Sequence, residues 1–448
     1  MKIGFEIHEQ LNTKQKLYCD CPTNYRDSPP NSNTCPVCTG MPGSKPYPTN
    51  KKAVDSAIEI ALMLNCNVVV DEPIYIQRKH YDYPDLPSGY QRTSLPLAAD
   101  GEINGVGIRE VHIEEDPGKY DPEKGIVDFN RSGVPLVEII TDPDIQSPEE
   151  ARNFLKTLTR VLEYTGKIRP EPSTMRMDTN ISLEGGNRVE IKNINSIKGA
   201  FRAIKYEVMR QERLEDVKRE TRAYMESQMI TVPMRSKELA EDYRYIPDPD
   251  LFPLEIDEAW VENIRKKMPE APHLRKQRII REYEIDPSVA EVLVSEQEFI
   301  DLFEEVAKEV DPEFASHWFK DKLRKVLNYK EMEPREIPFT SKEIIDLLKM
   351  IEEENITPEQ GEMVLRELIE KPRDPSEIVE DLEIKKFSKK DLKIAVKRAL
   401  DENPEAVNDY KEGKNEALNF LAGQIMKITE GKADAREAMD LLREELNK

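Results

Sequence analysis

No stretch of this chain approaches the roughly 18 consecutive apolar residues that a membrane-spanning helix needs. The opening Met1-Lys2-Ile3-Gly4-Phe5-Glu6 runs into a strand-like pattern instead of a charged-then-apolar leader. No membrane association and a cytoplasmic setting are expected. A G-x-x-x-x-G-K-[ST] loop and a G-x-G-x-x-G fingerprint are both missing, which argues against P-loop and Rossmann nucleotide sites. Gly4, Gly101, Gly105, Gly107 and Gly118 read as scattered turn glycines. No G-x-S-x-G nucleophile elbow occurs either. Basic residues are outnumbered by acidic ones, 66 to 88, and the net charge of −22 argues against broad, non-specific binding to nucleic acid. It leaves room for a local basic face.

Cysteine is scarce and unevenly placed. Of five, four (Cys19, Cys21, Cys35 and Cys38) are spaced C-x-C-x13-C-x2-C, and Cys66 stands alone as a core residue. Two close pairs on separate turns can converge as four thiolates around structural Zn²⁺, with Cys35-Pro36-Val37-Cys38 as a knuckle. Such a site is closed, so it stabilises a loop and does not catalyse.

At 448 residues two or three domains are expected. Residues 1–255 mix strands and helices without strict βαβ alternation, which predicts an α+β unit around an antiparallel sheet. A helix is expected near 51–65. Another is expected over 147–165, with Ser147 as N-cap, Pro148 at N1, Glu150 completing a capping box and Gly166 as the stop. In 175–182 Met175, Met177, Thr179 and Ile181 alternate with Arg176, Asp178, Asn180 and Ser182, which puts Arg176, Asp178 and Asn180 on one strand face. A second strand is expected over 188–192. From 256 the chain turns to short, charged helices, read as a helical domain over 256–330 and a helical tail over 331–448. The run from Lys330 to Pro338 reads as the linker between them.

Several polar side chains fall where strand alternation would gather them. Glu6, His8 and Gln10 share one face of the first strand. His112-Ile113-Glu114-Glu115-Asp116 crowds ionisable groups, and Glu138 interrupts the apolar run Leu136-Val137-Glu138-Ile139-Ile140. A carboxylate there is costly unless it is paired or bound to a cation. Mg²⁺ favours one or two carboxylates together with phosphate oxygens, which suits ATP chemistry. These residues point to a metal-using enzyme of unspecified substrate. The rival reading is a non-catalytic, zinc-stabilised RNA-binding scaffold whose acidic strand residues are structural.

The motifs GFEIHEQL (4–11), RKHYDYPDLPSGYQ (78–91), HIEEDPGK (112–119), DFNRSGVPLVEI (128–139), MRMDTNIS (175–182), VEIKNINS (189–196), TRAY (221–224) and DYRYIPDPDL (242–251), with the cysteine cluster, resemble those of the B subunit of the tRNA-dependent amidotransferase, most closely the archaeal type. Residues 409–433 resemble that family's terminal domain. Pro117 departs from the alanine common in the wider family. No insertion of domain size interrupts the chain, which sets it with the B rather than the related E subunits.

The resemblance implies a β-sheet cradle catalytic domain, a small helical domain and an all-α YqeY-like tail. It implies an enzyme that uses ATP and Mg²⁺ to phosphorylate the side-chain carboxylate of Glu-tRNA(Gln) or Asp-tRNA(Asn). That enzyme then transfers ammonia channelled from a glutaminase A subunit, usually with a small C subunit present. Glu6, His8 and Glu138 are the implied Mg²⁺ ligands. Glu114 or Glu115, with Asp178, would be further acidic members, and Lys79 resembles a lysine near the channel mouth. The basic stretch from Lys385 through Lys390 to Lys393, Lys397 and Arg398 is expected either to meet the tRNA backbone or to be a solvated helix face.

Overall fold

The computed structural model describes residues 1–81, 83–171, 174–214, 216–234, 244–382, 384, 389–411, 414, 416–429, 433 and 435–446. The chain divides into two compact units, 1–271 and 272–448. The sequence suggests a first boundary near 255 and a second near 330.

The first unit is built on a 12-stranded sheet. Its main path runs Ile230–Pro233, Glu220–Met225, Val189–Ile194, Arg176–Ser182, Lys2–Gln10, Pro135–Thr141, Val106–Glu115, Tyr90–Ser94, Ile76–His80, Arg244–Pro247. Ala98–Ile103 pairs with Val106–Glu115 and with Asn67–Val68. The expected antiparallel sheet has one exception: Val189–Ile194 and Glu220–Met225 run parallel. The helix Ile197–Gln211 lies between them in sequence and makes the crossover that a parallel pair needs.

One face of the sheet is apolar. Ile3, Phe5 and Ile7 of the opening strand are buried, and Phe5 stacks on Phe154 with centroids 6.2 Å apart. Phe154 belongs to the helix Pro148–Thr165, whose Leu155, Leu158, Val161 and Leu162 are buried along one stripe. Ser147 caps that helix by accepting from Glu150 N–H at 3.0 Å, and Gly166 ends it at φ 62°. The Glu150 carboxylate does not close on the cap residue as expected. It accepts from Gln146 N–H, one residue earlier, at 2.8 Å. Helix Lys51–Met63, capped by Asn50, packs on the Pro148–Thr165 helix and on strand Val106–Glu115. Helix Ile197–Gln211 packs on Pro148–Thr165 and on strands further along. Full burial of each large side chain on this face contributes about 1.5–3 kcal/mol, which keeps the sheet seated and leaves the other face for polar groups.

The second unit is helical. Phe299, Phe303 and Phe319 form an aromatic cluster, with ring centroids 5.4 Å and 5.5 Å apart. The expected linker from Lys330 to Pro338 contains a 3-10 turn, Pro334–Glu336, with Pro334 buried. The helix Ser341–Glu352 after it packs against Gln297–Val306. A further cluster joins Leu392, Val396 and Ala399 to Leu418, Leu421, Ile425 and Leu442.

Candidate active site

The polar face of the sheet is set by cross-strand register. Glu138 lies opposite His8 on one side and opposite His112 on the other. On the far side of the opening strand, Glu6 faces Asp178 and His8 faces Arg176. Asn180 in turn faces Glu190. Residues of like parity on neighbouring strands share a face. Five carboxylates from five strands therefore converge, although they are far apart in sequence.

They form two sets. His8 Nε2 lies 3.4 Å from Glu114 Oε2 and 3.4 Å from Glu138 Oε1. Glu6, Asp178 and Glu190 make the second set, and within each set the ligand atoms lie within 4.8 Å of one another. The implied Mg²⁺ residues Glu6, His8 and Glu138 are thus divided between the two. Gln91 Nε2 donates to Glu114 Oε2 at 3.1 Å and holds that carboxylate on the His8 side. Glu115 takes the opposite face, where its Oε1 accepts from the Arg92 backbone N–H at 3.1 Å and pairs with the Arg92 guanidinium at 3.3 Å. Lys192 Nζ reaches Asp178 at 3.6 Å and Glu190 at 3.4 Å. A bulge makes that reach possible: the register jumps between Met177 and Thr179, and Asn193 takes φ 67°. Asn tolerates this left-handed conformation better than most residues.

The charges respond to this crowding. Burial works against ionisation of Glu138, but the His8 hydrogen bond and charge, with Lys79 and His112, outweigh it and hold its carboxyl at about 2. Burial also disfavours a protonated His8, yet Glu114 and Glu138 raise the ring well above its usual value. Lys79 is raised likewise, burial being outweighed by Glu114 and Glu138. In the second set burial, followed by Asp178, Glu138 and Glu190, pushes the Glu6 carboxyl up, and burial raises Asp178. Asn180 donates to Glu6 at 3.2 Å, while its Oδ1 is buried without a hydrogen-bond partner. Carboxylates short of counter-charge beside an orphaned oxygen donor are what a hard divalent cation takes as ligands.

The four cysteines of the knuckle come together as thiols. Cys38 Sγ lies 3.9 Å from both Cys21 Sγ and Cys35 Sγ. Four thiolates around zinc stand about 3.8 Å apart, given Zn–S distances near 2.3 Å, so the set fits that ion. Cys38 is drawn down to about 5 by the hydrogen bond from Cys19, with Lys16 Nζ 3.4 Å away adding to it. Cys66 is buried on its own, its thiol pushed up to about 12 by burial.

In the tail, 385–388 lie outside the described residues. Lys389 and Lys390 open the helix Lys389–Glu402, on which Lys393 and Lys397 are exposed and Arg398 Nε pairs with Glu402 at 2.7 Å. Reading the sequence overlooked Glu190 and Gln91. A signal for Glu190 existed, since Val189 and Ile191 alternate with Glu190 and Lys192. None existed for Gln91, whose role depends on which strand lies beside its own.

Comparison with known proteins gives the family. Residues 1–262 match the family model described as the GatB/GatE catalytic domain, and residues 301–446 match that of the GatB domain. The B subunit of the aspartyl/glutamyl-tRNA(Asn/Gln) amidotransferase of Methanobrevibacter smithii is 55% identical, with 100% of each chain covered. Those of Methanothermobacter thermautotrophicus (54%, 100% of each chain) and Methanocaldococcus jannaschii (52%, 100% of this chain and 98% of the relative) are similar throughout. With matches of this extent over its whole length, the chain belongs to the family of aspartyl/glutamyl-tRNA(Asn/Gln) amidotransferase B subunits, of the archaeal type.

Proposed function

We propose that this chain is the ligase subunit that converts a glutamate or aspartate carried on the wrong tRNA into its amide. It would be a carbon–nitrogen ligase with glutamine as the ultimate amide donor. The observation that carries this reading is the pair of three-ligand sets, His8/Glu114/Glu138 and Glu6/Asp178/Glu190, side by side on the polar sheet face.

A carboxylate resists attack by ammonia because its oxygens are poor leaving groups. In the proposed reaction a side-chain carboxylate oxygen attacks the γ-phosphorus of ATP and ADP departs. Ammonia then attacks the carbonyl carbon of the acyl phosphate, inorganic phosphate leaves, and a proton is lost from nitrogen. Such chemistry depends mainly on positioning and on managing charge. His8, Glu114, Glu138, Glu6, Asp178 and Glu190 would hold Mg²⁺, which when bound neutralises phosphate oxygens. Gln91 keeps Glu114 oriented, and Lys192 does the same for Asp178 and Glu190. Lys79 supplies positive charge beside Glu114 and Glu138, where the carboxylate of the aminoacyl group must approach an acidic surface. Structural Zn²⁺ would sit among Cys19, Cys21, Cys35 and Cys38. The ammonia source is a glutaminase A subunit, accompanied by a small C subunit, in the cytoplasm. A catalytic unit to about 255, a helical unit to about 330 and a tRNA-gripping tail complete the reading.

The test is conversion of Glu-tRNA(Gln) and Asp-tRNA(Asn) with ATP, Mg²⁺ and ammonium chloride, with and without an A subunit. The wild type should form amide only when ATP is present, and the productive tRNA names the natural substrate. Glu6→Gln and His8→Ala should each lose at least about 100-fold in amidation while tRNA affinity stays nearly unchanged, as expected when electrostatic positioning is removed. Wild-type turnover in both variants, or none in the wild type with partners added, would return the chain to the scaffold reading.

A further inference from the structure

Arg176 occupies the polar face directly across from His8, and no role in the chemistry described above falls to it. Its guanidinium is anchored. Nη1 and Nη2 donate to the two oxygens of Asp116 at 3.3 Å and 3.4 Å, so the fork meets the carboxylate end-on. Asp116 is wholly buried and cannot move to follow it. Its backbone N–H donates to Val134 O at 2.8 Å, and its C=O accepts from Gly133 N–H at 2.9 Å. Its side chain also accepts from Gln10 Nε2 at 2.6 Å and pairs with Arg131 at 3.4 Å.

The two arginines on Asp116 are disposed differently. Arg131 is turned inward, its Nε donating to Pro117 O at 2.9 Å and a second nitrogen donating to Gly118 O. The Arg176 side chain remains 36% exposed. Its two bonds to Asp116 use two of the five N–H donors of a guanidinium, one on each Nη, which leaves the Nε–H and the outer Nη–H beside it as a second edge that a two-oxygen ligand can meet. A planar cation, fixed in orientation by a buried carboxylate and set beside a strongly acidic surface, suits an anion that has two oxygens to offer. On this face it adds positive charge where an anionic substrate must approach five carboxylates.

We infer that Arg176 is a substrate-binding residue that takes an oxyanion, either a phosphate of the nucleotide or the carboxylate to be amidated, in a two-oxygen grip. Asp116 and Gln10 act as positioning residues that hold it there. The inference rests on the proposed reaction for its setting, but its readouts can be separated from that reaction.

The experiment uses the full-length chain with Arg176→Lys and Arg176→Gln. MgATP affinity is measured by calorimetry, and kcat and KM for the misacylated tRNA are measured with ammonium chloride as donor. Loss of a charge-assisted two-point contact is expected to weaken one of these constants by about 10- to 100-fold. Arg176→Lys should recover only part of it, because an ammonium keeps the charge without the fork. A raised Kd for MgATP assigns the anion as phosphate. A raised KM for the aminoacyl-tRNA with unchanged MgATP affinity assigns it as the carboxylate. Added guanidinium should partly restore an Arg176→Ala variant, which a purely structural brace would not allow. If both constants of Arg176→Gln stay within twofold of wild type and only the melting temperature falls, Arg176 is a strut for Asp116 and the inference is overturned. Should the wild type form no amide at all, the proposed reaction fails and the MgATP measurement alone decides, unchanged affinity counting against the inference.

Discussion

A carboxylate buried in a protein survives there only if its charge is compensated, and Asp248 illustrates how this is done away from the open face. Its side chain is fully enclosed and accepts from Arg78 at 2.9 Å and from Arg92 Nε at 2.8 Å. Burial acts against its ionisation, and these bonds outweigh it, holding the carboxyl below the ordinary carboxylate range. Arg92 also pairs with Glu115, and Arg78 and Arg92 both lie over the Tyr90 ring, at 4.6 Å and 5.1 Å. Glu115 therefore belongs to this network and Glu114 to the His8 set, which a pair of adjacent glutamates cannot reveal by itself. Asp248→Ala would leave Arg92 with Glu115 and Arg78 with Asp250 as their remaining carboxylates, and is expected to destabilise the first unit by about 2–3 kcal/mol, read by urea denaturation. A loss below about 1 kcal/mol would mean that solvent reaches the arginines as readily as Asp248 does.

At the scale of elements, the helices were the most legible part. Ser147, Pro148 and Gly166 bracket Pro148–Thr165, and Thr357 with Gln360 closes a capping box on Pro358–Glu370, because caps and stops act over a single turn. Thr340 caps the helix Ser341–Glu352, with Glu343 closing that box. Ser147→Ala should cost about 1 kcal/mol, measurable as a lowered urea midpoint of the first unit. An unchanged midpoint would mean that the helix is held by its packing on Phe5 and its helical neighbours, with the cap contributing nothing. Strand ends were less legible. The expected strand at 188–192 spans Val189–Ile194. Pairing ends where a neighbouring strand ends, and the alternation within one strand does not mark that end.

The whole molecule offers a convenient separation of its two units. Of the two tryptophans, Trp260 lies in the first unit, its indole N–H donating to Asp55 at 2.6 Å with Lys51 over the ring, and Trp318 is buried in the second. If the cysteine knuckle holds zinc, the purified chain should contain one ion. Its removal by chelation, or by Cys35→Ser, should then lower the unfolding midpoint reported by Trp260 in a Trp318→Phe background. The midpoint reported by Trp318 in a Trp260→Phe background should stay in place. Equal shifts in both would show that the units unfold together, and no shift in either would remove zinc from the account.

Local chemistry in the chain was enough to determine the α+β composition, the helix caps, the two cysteine pairs and the alternation that puts Glu6 with His8 and Arg176 with Asp178. Each of these depends on residues within a few positions of one another, where backbone geometry sets which side chains share a face. Only tertiary structure decided that Glu138 meets His8, that Glu6 meets Asp178, that Glu114 and not Glu115 joins His8, and that Glu190 completes a second carboxylate set. Strand alternation says which face a side chain takes but not which strand lies beside it. The pairings of His8 with Glu138 and of Glu6 with Asp178 bridge more than a hundred residues of chain, and they are chosen by burial of the opposite, apolar face of the sheet.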